Sequence, residues 1–179
     1  MRKSQENLED AMSNRKTAED LMIHLEDYPH IPYWFTLREA MAIVREAALK
    51  FGGSFEPRAV LVFDEKYQLM GILTLRDIII GLEPKFLQET SLIKMDPSLT
   101  VLMGDFFGPK MAEQSQRTVS EVMSPIKITV NAEDPIIKPL YLMVKEKVGL
   151  IPVMQGGKVA GMLRLNDLFG EISKIVLGD

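Results

Sequence analysis

Apolar residues along this chain change their spacing in a fixed order, and they do so twice. In the C-terminal third, Ile126-Lys-Ile-Thr-Val130 alternates apolar with polar residues, the period of a short strand. Ile137, Leu140, Tyr141, Val144 and Val148 then fall at helical spacing before Gly149, and Pro139 fits only near the start of that helix. Leu150-Ile-Pro-Val-Met154 and Lys158-Val-Ala-Gly-Met-Leu163 flank Gln155-Gly156-Gly157, which predicts a hairpin. A last helix is expected to carry Leu168, Ile172, Ile175 and Val176.

The N-terminal half runs through the same sequence of periods. Thr36-Leu-Arg-Glu39 has the form of a helix cap ahead of Leu37, Ala40, Met41 and Val44. Ala59-Val-Leu-Val-Phe63, a turn at Asp64-Glu-Lys66 and Leu69 to Leu73 follow. Each half therefore predicts strand, helix, strand, strand, helix.

Short motifs repeat with this pattern. Thr17-Ala-Glu-Asp-Leu-Met22 answers to Thr118-Val-Ser-Glu-Val-Met123, each with a threonine three residues before an acid, at an offset of 118 − 17 = 101. That spacing marks a capped helix start. Gly71-Ile-Leu-Thr-Leu-Arg-Asp77 answers to Gly161-Met-Leu-Arg-Leu-Asn-Asp167 at an offset of 161 − 71 = 90. The first copy must hold eleven extra residues, for which Glu26 to Pro32 and Phe51 to Pro57 are the natural places. The expected organisation is a polar segment 1–16, a first repeat 17–82, a linker 83–117 and a second repeat 118–179. Within the linker, Asp96-Pro97 predicts a helix start, and Leu99, Leu102, Met103, Phe106 and Phe107 predict an apolar stripe. Gly108-Pro109 predicts the end, giving a helix over 97–107. Gly104 weakens that helix by about 1 kcal/mol.

Composition narrows the chemistry. Among 179 residues there is no cysteine, which excludes disulfides, a thiolate nucleophile and any cysteine-held zinc, haem or iron–sulfur site. Twenty-one basic against 25 acidic residues leave a net charge of −4, which argues against a nucleic-acid partner. The first residues are polar and acidic where a signal peptide needs an apolar region, and no uncharged run approaches the ~18 residues of a membrane span. The expectation is a cytoplasmic protein with no membrane partner.

The Thr-x-x-acid-apolar-Met openings, Ile151-Pro152-Val153 before the second hairpin, and Gly71-Ile-Leu-Thr-Leu-Arg-Asp77 together resemble a tandem pair of CBS domains, the cystathionine β-synthase-type repeat of regulatory modules. The resemblance covers about residues 17–82 and 118–176. It implies an α/β (α+β) fold of two βαββα-like repeats packed as a pseudo-twofold pair, with two clefts and often a homodimer. Family ligands are adenosine-containing: AMP, ADP, ATP or S-adenosylmethionine. Carried over, the resemblance makes Gly71, Thr74 and Asp77 a ribose and phosphate motif, with Thr74 holding phosphate and Asp77 and Asp167 accepting from ribose hydroxyls. Ile128, Val130, Ile151 and Pro152 would hold the base in the second copy. Two departures stand out: Arg164 at the Thr/Ser position, and the proline- and aromatic-rich first strand, Tyr28 to Phe35.

Plainer roles compete with these. Thr74 and Asp77 also form a helix cap, whereas Arg164 cannot cap and leaves Asp167 less well explained. Arg164 is either a surface arginine beside an acid or a phosphate ligand. His24 and His30, the only histidines, are expected to make local hydrogen bonds, and no metal is assigned. Trp34 is expected in the core. No local nucleophile, base and orienting group appears, so no catalytic residue and no obligatory cofactor is assigned. The expected function is a regulatory module that binds an adenine nucleotide and acts on a separate effector. The rival is an interaction scaffold with vestigial clefts and the linker helix as its contact surface.

Overall fold

The computed structural model describes residues 16–50, 59–83 and 104–178. Its elements are α1 (Ala18–Leu21), β1 (Ile23–His24), β2 (His30–Pro32), α2 (Leu37–Lys50), β3 (Ala59–Phe63), β4 (Leu69–Thr74) and α3 (Leu75–Leu82). These are followed by α4 (Gly104–Gln114), a 3-10 turn (Val119–Glu121), β5 (Ser124–Pro125), β6 (Val130–Asn131), α5 (Ile137–Glu146), β7 (Leu150–Gln155), β8 (Lys158–Arg164) and α6 (Leu165–Leu177). Strand, helix, strand, strand, helix therefore recurs as β2-α2-β3-β4-α3 and β6-α5-β7-β8-α6. Among the described residues the fold is mixed α+β with two four-stranded sheets.

The chain divides into two units. Among the described residues, those within 29–126 form one unit, called inner for its place in the sequence, and those of 16–28 join those of 127–178 in the other, called outer. The inner sheet has the order β2-β3-β4-β5 and the outer sheet β6-β7-β8-β1. In each, a parallel pair and a hairpin are completed by a two-residue antiparallel edge strand. That edge strand comes from the opening motif of the other sequence copy: Met123-Ser124-Pro125 enters the inner sheet, and Met22-Ile23-His24 enters the outer one. The units therefore do not coincide with the repeat boundaries 17–82 and 118–179.

Strand registers locate the eleven extra residues. Ile31 pairs with Val62 as Val130 pairs with Val153, so the offset is 130 − 31 = 99 at the first strand and 153 − 62 = 91 at the next. Two residues are thus gained before β2, eight between β2 and β3, and one in the hairpin.

Local chemistry explains most of the elements. Thr36 N–H and Oγ1 both donate to Glu39 Oε2 at 2.8 Å, and Glu39 N–H donates back to Thr36 Oγ1 at 3.3 Å, opening α2. Gly156 and Gly157 adopt φ of 57° and 78°, the paired left-handed conformations of a two-residue hairpin turn. In the other hairpin, Asp64 Oδ1 accepts from the N–H groups of Lys66 and Gln68. Each unit packs its own core. Ile31, Leu37, Val60, Val62, Leu73 and Ile78 centre the inner one, and Val130, Met143, Ile151, Val153, Leu163 and Leu168 the outer one.

Three local expectations differ. Residues 126–129 are not a strand, because the alternating stretch finds a pairing partner only at Val130 and Asn131. Gly108-Pro109 does not end α4, which runs through Pro109 to Gln114. A proline removes one intrahelical bond, and here packing past it carries the helix onward. Met111 lies against the inner core, and buried Ser115 donates its hydroxyl to Ala112 O at 2.7 Å. Residues 97–103 of the expected helix, with Leu99, Leu102 and Met103, lie outside the described residues, as do the side chains of Phe106 and Phe107. Trp34 is not in the core. It is 48% exposed, edge-on to Tyr33 at 5.2 Å, because the chain turns out of β2 after Pro32.

Candidate functional site

The two Gly-to-Asp motifs occupy equivalent places, each spanning the last residues of a central strand and the first turn of the following helix. In the inner unit the strand is β4 and the helix α3; in the outer unit they are β8 and α6. Thr74 stands opposite Ala59, and Arg164 opposite Leu150. Ile151 and Pro152 are the next positions along β7.

Around Asp77 the sequence builds a reciprocal cap. Thr74 N–H and Oγ1 donate to Asp77 Oδ2 at 2.8 and 2.7 Å, and Asp77 N–H donates to Thr74 Oγ1 at 3.1 Å. A short polar pair at the N-cap and third helical positions satisfies amides that the helix itself leaves unbonded. The other oxygen, Oδ1, accepts from Ser124 Oγ at 3.1 Å. A carboxylate has about four acceptor directions, so Oδ1 retains capacity for a further donor.

Asp167 is held differently. Arg164 Nε donates to Oδ2 at 2.8 Å and Nη2 to Oδ1 at 2.7 Å, a bidentate fork that uses both oxygens. The Arg164 side chain makes no cap bond to α6. At the position of Ser124 the outer unit has Ile23, since 124 − 101 = 23, opposite Met162.

The glycines have a packing reason. A Cβ on Gly71 would stand 2.7 Å from Ser124 O and 2.9 Å from Met123 Sδ, and one on Gly161 would collide with the Ile23 carbonyl and Met22 Sδ. Each glycine lets an opening motif lie against its sheet, and the methionine of that motif covers it.

Of the apolar candidates, Val130, Ile151 and Pro152 are buried, the first two as members of the outer core, whereas Ile128 is half-buried against that core. Ile128 is the one that can meet a ligand without the core opening. Gly71, Thr74 and Asp77 lie together in the inner unit; Ile128, Val130, Ile151, Pro152, Arg164 and Asp167 belong to the outer. Ser124 was not predicted, because its only signal is a serine after the Thr-x-x-acid-apolar-Met motif, and its contact with Asp77 spans 47 residues. His30 Nε2 lies 2.8 Å from Tyr67 Oη, a partner 37 residues away in sequence.

The opening motifs and the cap of α2 also carry pH-sensitive contacts. Backbone and hydroxyl donors of Thr17, Thr36 and Thr118 hold Asp20, Glu39 and Glu121 below the usual carboxylate range. The Glu65 carboxylate, accepting from Tyr33 Oη at 2.6 Å, pushes that phenol up. Among the described residues no group of three or more His, Asp or Glu side chains is placed to hold a metal ion, and no helix is long and apolar enough to cross a membrane.

Comparison with known proteins adds the family. The CBS domain family model matches residues 119–174. A CBS domain-containing protein of unknown function from Kribbella flavida superposes with a TM-score of 0.66 at 18% identity, covering 87% of this chain and 97% of that one. The cytosolic domain of the Mg2+ channel MgtE in complex with ATP superposes with a TM-score of 0.60 at 20% identity over 90% of this chain, which spans only 52% of that one. CBSX2 in complex with AMP does so with a TM-score of 0.60 at 16% identity, over 89% and 98% of the two chains. No curated protein sequence matches the chain. Residues 119–174 thus carry a CBS domain, and the described chain has the fold of solved CBS domain proteins.

Proposed function

We propose that this chain is a regulatory module that senses an adenosine-containing nucleotide and has no catalysis of its own. The observation that carries this reading is Asp77. It is a half-buried carboxylate fixed in the first turn of α3 by Thr74, with Oδ1 turned to a hydroxyl donor, Ser124. A ribose diol supplies donors of that same kind, and two solved relatives of this fold are described with ATP or AMP bound. The amides and dipole at the start of α3 favour a phosphate near Thr74. In the outer unit Arg164 offers phosphate a cationic fork, Asp167 offers ribose a carboxylate, and Ile128 with its neighbours Val130, Ile151 and Pro152 offers the base an apolar wall.

Signalling on this reading is a population shift. A nucleotide that binds one conformation of the module more tightly biases it, and through it a separate effector protein. The module is proposed to be a cytoplasmic homodimer. Its outer unit exposes Ile137, Tyr141 and Val144 on one face of α5, and Phe169 and Val176 on one face of α6. Apolar helix faces of this extent mark association surfaces.

Isothermal titration with AMP, ADP, ATP and S-adenosylmethionine tests the proposal. Saturable binding of at least one is expected, weakened ten- to hundredfold at the inner unit by Asp77→Ala. Absence of binding up to millimolar ligand would leave the interaction scaffold as the better reading, which the occupied oxygens of Asp167 favour.

A further inference from the structure

We propose that the Arg164–Asp167 pair is a latch that closes the outer unit to neutral nucleosides and yields to phosphate-bearing ones, so that the two copies answer different members of one ligand class. This inference rests on the nucleotide-sensing reading above and adds its specificity.

The two aspartates occupy the same place in their motifs but differ in what a ligand must displace. At Asp77 the exchangeable partner of Oδ1 is a neutral hydroxyl, Ser124, at 3.1 Å. A ribose hydroxyl replaces it like for like, and the contacts of Oδ2 with Thr74 persist. At Asp167 both oxygens carry charge-assisted bonds of 2.8 and 2.7 Å from one guanidinium, and the two side chains are only 23% and 20% exposed. Such bonds are roughly twice as strong as neutral ones, so a neutral diol cannot displace them at no loss. Ile23, standing where the inner unit has Ser124, offers the carboxylate no hydroxyl in exchange.

A phosphate group acts on the other partner. It matches the planar fork of arginine two bonds at a time, so it can draw Arg164 from Asp167 without leaving the cation unpaired. Asp167 is then released to accept from the ribose hydroxyls of the same molecule. Phosphate and ribose binding are thereby coupled in the outer unit, and Arg164 is the specificity-determining residue.

The test is equilibrium titration of the full chain with adenosine and with ATP, in wild type, Arg164→Thr and Arg164→Lys. Wild type is expected to bind one adenosine and two ATP per chain. Arg164→Thr, which restores the residue present at position 74, should bind two adenosines, the second lost when Asp167→Asn is added, while ATP at that site weakens at least tenfold. Arg164→Lys keeps the charge but not the fork and should also weaken ATP; it serves if the threonine variant does not fold. Two adenosines or a single ATP per wild-type chain would overturn the latch, as would an adenosine count unchanged by Arg164→Thr. Each of those results leaves nucleotide binding at Asp77 intact. Loss of all ligand binding from wild type would instead overturn the nucleotide-sensing reading itself.

Discussion

Ser124 donates its hydroxyl to Asp77 Oδ1 at 3.1 Å across 47 residues of sequence. The contact exists because β5 pairs with β4, placing Ser124 opposite Ile72, and that pairing exists because Gly71 has no side chain to hold the opening motif away. The candidate carboxylate of one sequence copy is thus completed by a residue that introduces the other.

Asp77 has two duties, which mutation should separate. Asp77→Ala is expected to weaken nucleotide binding ten- to hundredfold, the worth of a charged hydrogen bond at about 1.5–3 kcal/mol. It should also cost about 0.5–2 kcal/mol of stability through the lost cap. Ser124→Ala should leave stability within about 1 kcal/mol, since Oδ2 keeps its Thr74 donors. Calorimetric titration beside urea denaturation reads both, and unchanged affinity in a folded Asp77→Ala protein would assign the residue to capping alone.

Gly161→Ala should destabilise the outer unit. The added methyl meets the Ile23 carbonyl, which is backbone, besides the movable Met22 side chain, so the edge strand must shift. A cost of about 1–3 kcal/mol is expected from overpacking, read as a lowered urea midpoint. Gly170→Ala, where a Cβ meets nothing within 4 Å, is the control and should not destabilise.

Acid should loosen the opening motifs and the cap of α2. Asp20, Glu39 and Glu121 are held below the usual carboxylate range by the donors of Thr17, Thr36 and Thr118. A depressed folded-state pKa means stability that is present above the unfolded value and lost as pH falls through the folded one. Glu39→Gln keeps an acceptor for Thr36 but does not titrate, so its stability should fall less steeply with acid than wild type. Denaturation midpoints between neutral pH and pH about 3 provide the check, and parallel profiles would refute it.

Association should depend on the apolar face of the outer unit. Tyr141 is 62% and Phe169 70% exposed, so aspartate at either position should be tolerated by the fold yet weaken self-association. Sedimentation at tens of micromolar is expected to show twice the 20.2 kDa chain mass for wild type and a shift toward the single chain for Phe169→Asp. A wild-type protein sedimenting as one chain would sink the homodimer.

The recurring order of strand, helix, strand, strand, helix was legible in the sequence, because apolar periodicity records which side of each element is buried. The Thr36–Glu39 cap and the Gly156-Gly157 turn were legible because their hydrogen bonds and torsions lie within a few residues. The Thr74–Asp77 cap was readable for the same reason, although its use for a ligand was only implied by resemblance. Tertiary structure decided what sequence spacing does not encode: that Met22-Ile23-His24 and Met123-Ser124-Pro125 each join the sheet of the other copy, that Ser124 reaches Asp77, and that Arg164 spends its fork on Asp167. It also carried α4 past Pro109, and left Trp34 exposed where an aromatic residue was expected inside. The physical reason is common to all of these. Hydrogen bonds between neighbours in sequence depend on residue type and spacing, whereas strand pairing and ion-pair choice depend on which surfaces the folded chain brings within reach.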